Sequence, residues 1–301
     1  MLKVDKLLCC AQKQNSNKGD YEDAFTTPKS ININEKLYKV AIADGATESS
    51  FSKEWSNLLA NKYIGDQFNL RDKKFRQGLI EEWGSVISNS KLTWFGAEKL
   101  SKGAYSTFLG LTLDLENSKW TAESIGDSCL FIIRDGKLLQ SFPLEKSFEF
   151  NSSPYLLSSK EENNEFIENN IKNSNGTLLV GDLLILATDA LSHWFLKEIE
   201  NTKQPWLFFT QLMEDEQKTE EKKLLFKNWS LIKDIWVKSN NITDPQAYDL
   251  FTEGIFNKDD KKSEIEAWSF KNWLFSNWLD KNRNMGYIKN DDTTLYVLRI
   301  N

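Results

Sequence analysis

Apolar residues recur along the chain at two different spacings, and these spacings predict where helices and strands lie. Two stretches have the three- and four-residue spacing of amphipathic helices: Trp55, Leu58, Leu59 and Tyr63, then Phe75, Leu79, Trp83, Val86 and Ile87. The serines before the first stretch are candidate helix caps: Ser49, Ser50 and Ser52. Two consecutive helices between strands predict a helical layer over one face of a sheet.

The rest of the chain is dominated by the two-residue period of strands. Leucines alternate with other residues over Leu109–Leu115, and apolar runs predict more strands at Leu7–Ala11, Leu37–Ala43, Trp120–Ile125, Leu130–Arg134, Leu138–Phe142 and Thr294–Ile300. Asp135-Gly136 predicts a tight hairpin turn, and Thr177–Thr188 predicts a strand pair that turns at Gly181-Asp182. Strands in runs, with helices grouped together, favour an α+β layered fold over a doubly wound one.

A stretch of different character lies at about 195–288, before the last predicted strand. It contains six of the eleven tryptophans: Trp206, Trp229, Trp236, Trp268, Trp273 and Trp278. Such a stretch could be a surface for stacking bases or docking a partner. The favoured interpretation is a helical insertion that its aromatic side chains hold against the core. Without an internal repeat or a linker, the chain is predicted to be one domain, 1–301, with this insertion.

Composition narrows the class of protein. The chain of 301 residues is 40 % hydrophobic and 13 % aromatic, which supports a packed core. Its net charge of −6 disfavours a general nucleic-acid or membrane-surface binder. No apolar run approaches the length of about 20 residues that a membrane helix needs. Three cysteines without a CxxC pair, and a single histidine, argue against zinc and favour a reducing cytoplasm.

Acidic residues recur where the apolar runs begin or end. They are Glu22-Asp23, Asp44, Asp127, Asp189 and Asp291-Asp292. Side chains at strand ends can converge while a rigid sheet fixes their backbones. Carboxylates that converge repel one another unless a cation lies between them. The pattern therefore predicts a site for hard metal ions, although each of these motifs alone is more often a turn or a solvated edge.

Six short motifs, in this order, resemble those of the metal-dependent (type 2C) protein serine/threonine phosphatases. They are Tyr21-Glu22-Asp23-Ala24, Ala43-Asp44-Gly45-Ala46, Ser106-Thr107, Gly126-Asp127-Ser128, Ala187-Thr188-Asp189-Ala190 and Asp291-Asp292-Thr293-Thr294. The run Ala43–Ser50 resembles a bacterial branch that is often paired with a serine/threonine kinase. The resemblance implies a four-layer α-β-β-α sandwich with two central antiparallel sheets and a helical insertion before the last strand.

The resemblance also implies a centre of two Mn²⁺ or Mg²⁺ ions and assigns its ligands. Asp44 would bridge the ions, Asp189 and Asp291 would hold one, and Glu22 and the Gly45 carbonyl would hold the other. Asp23 would orient a metal-bound water, and Asp127 would bind a third, weaker ion with Asp189. Such a centre hydrolyses phosphomonoesters by attack of a metal-bridging water, without a covalent enzyme intermediate. Oxygen ligands suit these ions better than zinc.

Several positions depart from the family pattern. Lys18 stands where many members have the arginine that binds phosphate, and a lysine offers a point charge but no bidentate fork. Ala46 follows the Asp-Gly motif where some members have a proton-donating histidine. Ala190 replaces the usual glycine, and His193 is either near the site or, more often for such a residue, in a packing role. A nucleophilic role for Cys129 is disfavoured because it lies beside a predicted strand without a neighbouring histidine.

Three functions remain open. The leading hypothesis is a metal-dependent phosphoprotein phosphatase whose partners are a phosphorylated protein substrate and a cognate kinase, with no nucleic acid and no membrane. The second is a catalytically inactive phosphatase fold that regulates or binds, motivated by Lys18, Ala190 and the tryptophan-rich stretch. The third is a metallophosphatase for small phosphorylated metabolites. Retention of the acidic set favours an enzyme over the inactive alternative.

Overall fold

Two antiparallel sheets form the centre of the molecule. The computed structural model describes residues 1–16, 20–26, 36–49, 51–65, 67–88, 102–150, 153–213 and 262–301. Its strands are β1 (Val4–Ala11), β2 (Ala24–Phe25), β3 (Leu37–Ala43), β4 (Tyr105–Ser106), β5 (Phe108–Asp114), β6 (Lys119–Ile125), β7 (Cys129–Arg134), β8 (Lys137–Phe142), β9 (Leu157–Ser158), β10 (Lys172–Thr177), β11 (Leu183–Ala187) and β12 (Thr293–Ile300). One sheet has the order β1-β12-β11-β7-β8, and the other has the order β10-β6-β5-β3-β2. We call them sheet A and sheet B, and β4 pairs with β9 separately.

Helices cover the outer face of each sheet. They are α1 (Ser52–Tyr63), α2 (Lys73–Ser88), α3 (Ile167–Asn170), α4 (Asp189–Glu200), α5 (Trp206–Met213) and α6 (Lys262–Asn284). Buried residues of α1 and α2 pack with the outer face of sheet B, and those of α4, α5 and α6 pack with the outer face of sheet A. Side chains of both sheets share a third core between them, where Tyr38 and Tyr296 meet. The α+β sandwich predicted from the sequence is therefore confirmed.

The structure corrects two local predictions. Thr177 and Leu183 do not belong to one strand pair, because β10 pairs with β6 in sheet B whereas β11 lies in sheet A. The Gly181 turn instead connects the two sheets. Helix α1 has no side-chain cap, because the residue before it is Phe51 in a left-handed conformation (φ 62°). The hydroxyl of Ser52 instead donates a hydrogen bond to Glu22 Oε1.

The described part of the tryptophan-rich stretch belongs to the layer outside sheet A. Trp206 is buried there, and the ring of Trp278 stacks on Phe208 at 4.6 Å and meets Trp194 edge-on at 5.0 Å. These contacts are those of packing residues. Trp229 and Trp236 lie outside the described residues, as does the rest of 214–261.

Candidate metal centre

The acidic residues singled out in the sequence lie at one end of the sandwich. In sheet A, Ala187 is opposite both Cys129 and Leu295. Asp127, Asp189 and Asp291 therefore flank the ends of three neighbouring strands on the same side of the sheet. Asp44 comes from sheet B, directly after β3. The two sheets thus bring their strand ends together, and Asp23, Asp127, Asp189 and Asp291 come near Asp44.

Asp44 is the residue of this cluster with the other carboxylates around it. Burial is the main cause that raises its pKa well above the usual value, and four other carboxylates raise the pKa further: Asp23, Asp189, Asp291 and Asp127. None of the described side chains or backbone amides donates a hydrogen bond to the Asp44 carboxylate. A carboxylate with four like charges near it and no donor calls for a cation or a proton.

The backbone around Asp44 is fixed by sheet-edge hydrogen bonds. The Asp44 amide donates to Thr107 Oγ1 at 3.0 Å, and its carbonyl accepts from the Thr107 amide and from Ser106 Oγ, each at 2.9 Å. The next residue, Gly45, has no room for a side chain, because a Cβ would come within 2.8 Å of the Glu22 carbonyl oxygen. Glycine is required there by close backbone approach rather than by an unusual dihedral angle.

Glu22 is held between the start of α1 and the loop before β12. Its Oε1 accepts from Ser52 Oγ at 2.8 Å, and its Oε2 pairs with Lys13 Nζ at 3.2 Å. Its amide donates to Asp292 Oδ2 at 2.8 Å, while Asp292 Oδ1 accepts from the Lys13 amide at the same distance. Asp292 therefore fixes the loop that carries Glu22, because it accepts hydrogen bonds from the Glu22 and Lys13 amides.

Asp23 is 2 % exposed and has only one of its two oxygens paired. Oδ2 accepts from Thr188 Oγ1 at 3.1 Å and from Thr294 Oγ1 at 2.8 Å, whereas Oδ1 has no partner. Burial is the main cause of its raised pKa, followed by the charge of Asp292. A buried carboxylate oxygen without a donor is costly, so Oδ1 is the acceptor position that a water or a cation would fill.

A lysine lies between the carboxylates on the sheet A side. Lys289 Nζ is 3.2 Å from Asp189 Oδ2 and 2.6 Å from Asp291 Oδ2. Burial raises the pKa of Asp189 despite this ammonium group. Burial, and then the charge of Asp189, raise the pKa of the neighbouring Asp127 to about 7.

The donor set fits a hard divalent cation. Every candidate ligand supplies oxygen, Asp23 Oδ1 has no hydrogen-bond partner, and the Asp44 carboxylate has four acidic neighbours. Two ammonium groups already stand in as cations beside the outer carboxylates, one from Lys13 and one from Lys289. Within the described ranges, no group of three or more acidic, cysteine or histidine side chains is arranged so that it could hold a metal ion.

Three residues that contact the site are not among those predicted from the sequence: Lys13, Lys289, and Arg283, which donates to the Asp291 carbonyl. Asp292 belongs to a recognised motif, but nothing in the motif shows that its carboxylate holds a distant loop. The lysines carry no signal, because their role depends on which carboxylates the fold places beside them. Lys18, the predicted phosphate ligand, lies outside the described residues.

His193 and Cys129 border the site, but neither has the surroundings of a reactive group. His193 is half-buried on α4 with its ring against Phe150, 5.4 Å between centroids, and burial lowers its pKa. This is a packing contact. Cys129 is fully buried, and burial raises its pKa well above the usual range, which is the reverse of what a thiolate nucleophile needs.

Comparison with solved structures places the fold. The chain matches the photosystem II phosphatase PBCP at 14 % identity over 99 % of both chains, with a TM-score of 0.50. It also matches the catalytic domain of the serine/threonine protein phosphatase PstP, in complex with two manganese ions (13 % identity, 100 % and 99 % covered, TM-score 0.47). A third match is the phosphatase domain of SpoIIE from Bacillus subtilis (18 %, 100 % and 93 %, 0.39).

The chain has the fold of the type 2C phosphatases, as its motifs predict. No protein-family model matches the sequence, and the search of curated proteins finds no match. At these identities the likeness establishes the fold, and the activity has to be argued from the residues. None of the helices in the described ranges is long and apolar enough to span a membrane.

Proposed function

We propose that this chain is a metal-dependent protein serine/threonine phosphatase of the type 2C family. The observation that carries the proposal is the position of Asp44, whose carboxylate has four acidic neighbours and no donor in the described part of the chain. A carboxylate in that position is unfavourable until a multivalent cation joins it. On a phosphatase-type fold, the reaction that such an oxygen-ligand centre supports best is hydrolysis of a phosphomonoester.

The carboxylates divide into two sets around Asp44. Asp189 and Asp291 would hold one ion with it, and Glu22 and the Gly45 carbonyl would hold the other. Asp127 lies beside Asp189 and would be a ligand of a third, weaker ion. Mn²⁺ or Mg²⁺ bound there would activate water and offset the charge of the phosphate.

Asp23 would position the attacking water. Two threonine hydroxyls fix Oδ2, so the unpaired Oδ1 is held in one direction and can accept one hydrogen from that water. Tyr21 supports the same arrangement, because its hydroxyl lies 2.5 Å from Thr294 Oγ1. Lys18 would be the phosphate ligand of the substrate.

A second candidate function is a non-catalytic binding or regulatory module. The favouring observation is that Lys13 and Lys289 already pair with Glu22, Asp189 and Asp291, which reduces the need for metal at the outer carboxylates. It leaves Asp44 unexplained, and we therefore place it second.

Further details of the proposal concern the whole chain. We treat 1–301 as one domain in which the stretch at about 195–288 selects the phosphorylated target, with a cognate kinase as a further partner. Three cysteines without disulfides fit a cytoplasmic location. Deleting residues 214–261 tests whether this stretch selects the target. Unchanged folding and unchanged substrate choice would refute that role.

The test of activity uses the full chain with p-nitrophenyl phosphate, a phosphothreonine peptide and a phosphorylated sugar. Turnover should require Mn²⁺ or Mg²⁺ and should be lost in Asp44→Asn. Asp5→Asn is the matched control, because Asp5 is exposed on β1 opposite Arg299, at the strand end far from the site. Preference for the sugar would indicate a metabolite phosphatase. Turnover that survives EDTA or Asp44→Asn would refute the mechanism, and absence of both turnover and metal binding would favour the non-catalytic module.

A further inference from the structure

Each half of the proposed centre has an ammonium group of its own. On the Glu22 side, Lys13 Nζ is 3.2 Å from Oε2 and 3.1 Å from Thr47 Oγ1. On the other side, Lys289 Nζ lies between Asp189 and Asp291, at 3.2 and 2.6 Å. A cation between two carboxylates uses the oxygen atoms that a divalent metal would need as ligands.

We propose that Lys289 is a built-in counter-cation that occupies the Asp189–Asp291 position in the metal-free protein and leaves when a divalent ion binds. In this role it lowers the affinity of that half of the centre for metal and stabilises the empty form. The inference rests on the proposed function, because it takes these two carboxylates as metal ligands.

The backbone of Lys289 is anchored while its charged end is accessible. Ile288, on one side, is 3 % exposed in the core outside sheet A. Asn290, on the other, accepts from the Gln14 amide at 2.7 Å and donates to its carbonyl at 3.3 Å. The side chain of Lys289 itself is 61 % exposed, so its ammonium group can turn into solvent without moving the loop.

Lys289 and a divalent cation compete for the same two carboxylates, so Lys289 should lower the affinity for metal. Metal binding must break both lysine–carboxylate pairs, and a nearby ammonium repels a divalent cation. Two half-exposed ion pairs are modest individually, and together they correspond to roughly tenfold in metal affinity. Without Lys289, the carboxylates of the metal-free protein would repel one another with less compensation, so the empty form should be less stable.

The experiment compares four full-length proteins: wild type, Lys289→Met, Lys289→Arg and Lys203→Met. Methionine keeps the length of the apolar stem and removes the charge, whereas arginine keeps the charge. Lys203 is the matched control, because its side chain is also 61 % exposed and pairs with Glu198 at 2.9 Å, away from the cluster. Calorimetric titration with Mn²⁺ gives the affinity, and melting temperature in EDTA gives the stability of the empty form.

The expected result is that Lys289→Met binds Mn²⁺ roughly tenfold more tightly than wild type and melts at a lower temperature in EDTA. Lys289→Arg and Lys203→Met should bind no more tightly than wild type. If wild type binds Mn²⁺ and Lys289→Met binds it no better, or if Lys289→Arg gains as much affinity as Lys289→Met, the inference fails and the proposed function stands. If none of the four proteins binds Mn²⁺, the metal centre and the inference fail together.

Discussion

Replacing Arg283 by methionine is expected to destabilise the fold and to displace Asp291, because one buried guanidinium holds two backbone carbonyls at the edge of the acidic cluster. Nη1 donates to the Gln12 carbonyl at 2.9 Å, and Nη2 donates to the Asp291 carbonyl and to Thr293 Oγ1, the latter at 3.1 Å. The side chain is only 1 % exposed, so water cannot readily replace these donors.

The cost can be worked from those contacts. Methionine keeps most of the apolar stem of Arg283 but removes its hydrogen bonds to the Gln12 and Asp291 carbonyls, and a hydrogen bond from a charged donor contributes about 1.5–3 kcal/mol. Two such hydrogen bonds give an expected loss of about 3–6 kcal/mol. Arg71→Met is the matched control, because Arg71 also donates to two carbonyls, those of Glu168 and Ile171, both at 3.1 Å. Arg71 is exposed, so water can take its place and the loss should stay below about 1 kcal/mol.

Urea unfolding of the two variants, followed by tryptophan fluorescence and extrapolated linearly, measures both losses. Titration with Mn²⁺ then shows whether Asp291 has moved, since Arg283→Met should also weaken metal binding while Arg71→Met should not. Equal stability of the two variants would show that the guanidinium is not a structural support of the cluster.

Three further predictions concern the metal-free protein and use thermal or urea unfolding. The folded-state pKa of Asp127 is raised to about 7, so the protonated side chain stabilises the fold and this stabilisation is lost as the pH rises through that value. The protein should therefore be roughly 1–2 kcal/mol more stable at pH 6 than at pH 8.5. A free energy of unfolding that does not change between these pH values would contradict this prediction. Asp44→Asn should raise the melting temperature in EDTA by relieving repulsion, and a lowered one would show that the carboxylate is already compensated. Gly45→Ala should cost about 1–3 kcal/mol, because its Cβ meets the Glu22 carbonyl, whereas Gly78→Ala in α2 has open space and should gain up to about 1 kcal/mol; equal effects would refute the steric argument.

The strands that the sequence predicts well are those whose side chains face a core. β5 alternates leucine with small or polar residues because one face packs between the sheets, and the register with β6 preserves that alternation. β10 reads Lys-Asn-Ser-Asn-Gly-Thr and has no buried position, so no hydrophobic pattern could reveal it. It is a strand because its backbone pairs with β6 at the edge of sheet B. Pairing of that kind is a tertiary fact that local composition does not encode.

The residues of the site likewise fall into those that the sequence predicts and those that it does not. Carboxylates at strand ends could be predicted, because a strand end fixes where a side chain starts and the motif order fixes which ends matter. Arg283, Lys13 and Lys289 could not, because each acts across the fold on groups that are close only after the sheets pack. Arg283, for example, comes from the end of α6 and holds a carbonyl that is 271 residues away in the chain.

The balance of charge within the cluster is the main argument for the proposed metal-dependent enzyme over the non-catalytic alternative. The outer carboxylates are compensated without metal: Glu22 has Lys13, and Asp189 and Asp291 share Lys289. Asp23 Oδ1 has no hydrogen-bond partner, and no described residue donates a hydrogen bond to the Asp44 carboxylate. A fold that only needed to be stable would gain by having an amide at residue 44, since a neutral side chain of the same shape removes four repulsions at once. Under the proposed function, the lysines at the edge let the site fold without metal, and the Asp44 carboxylate at its centre favours binding of a divalent ion.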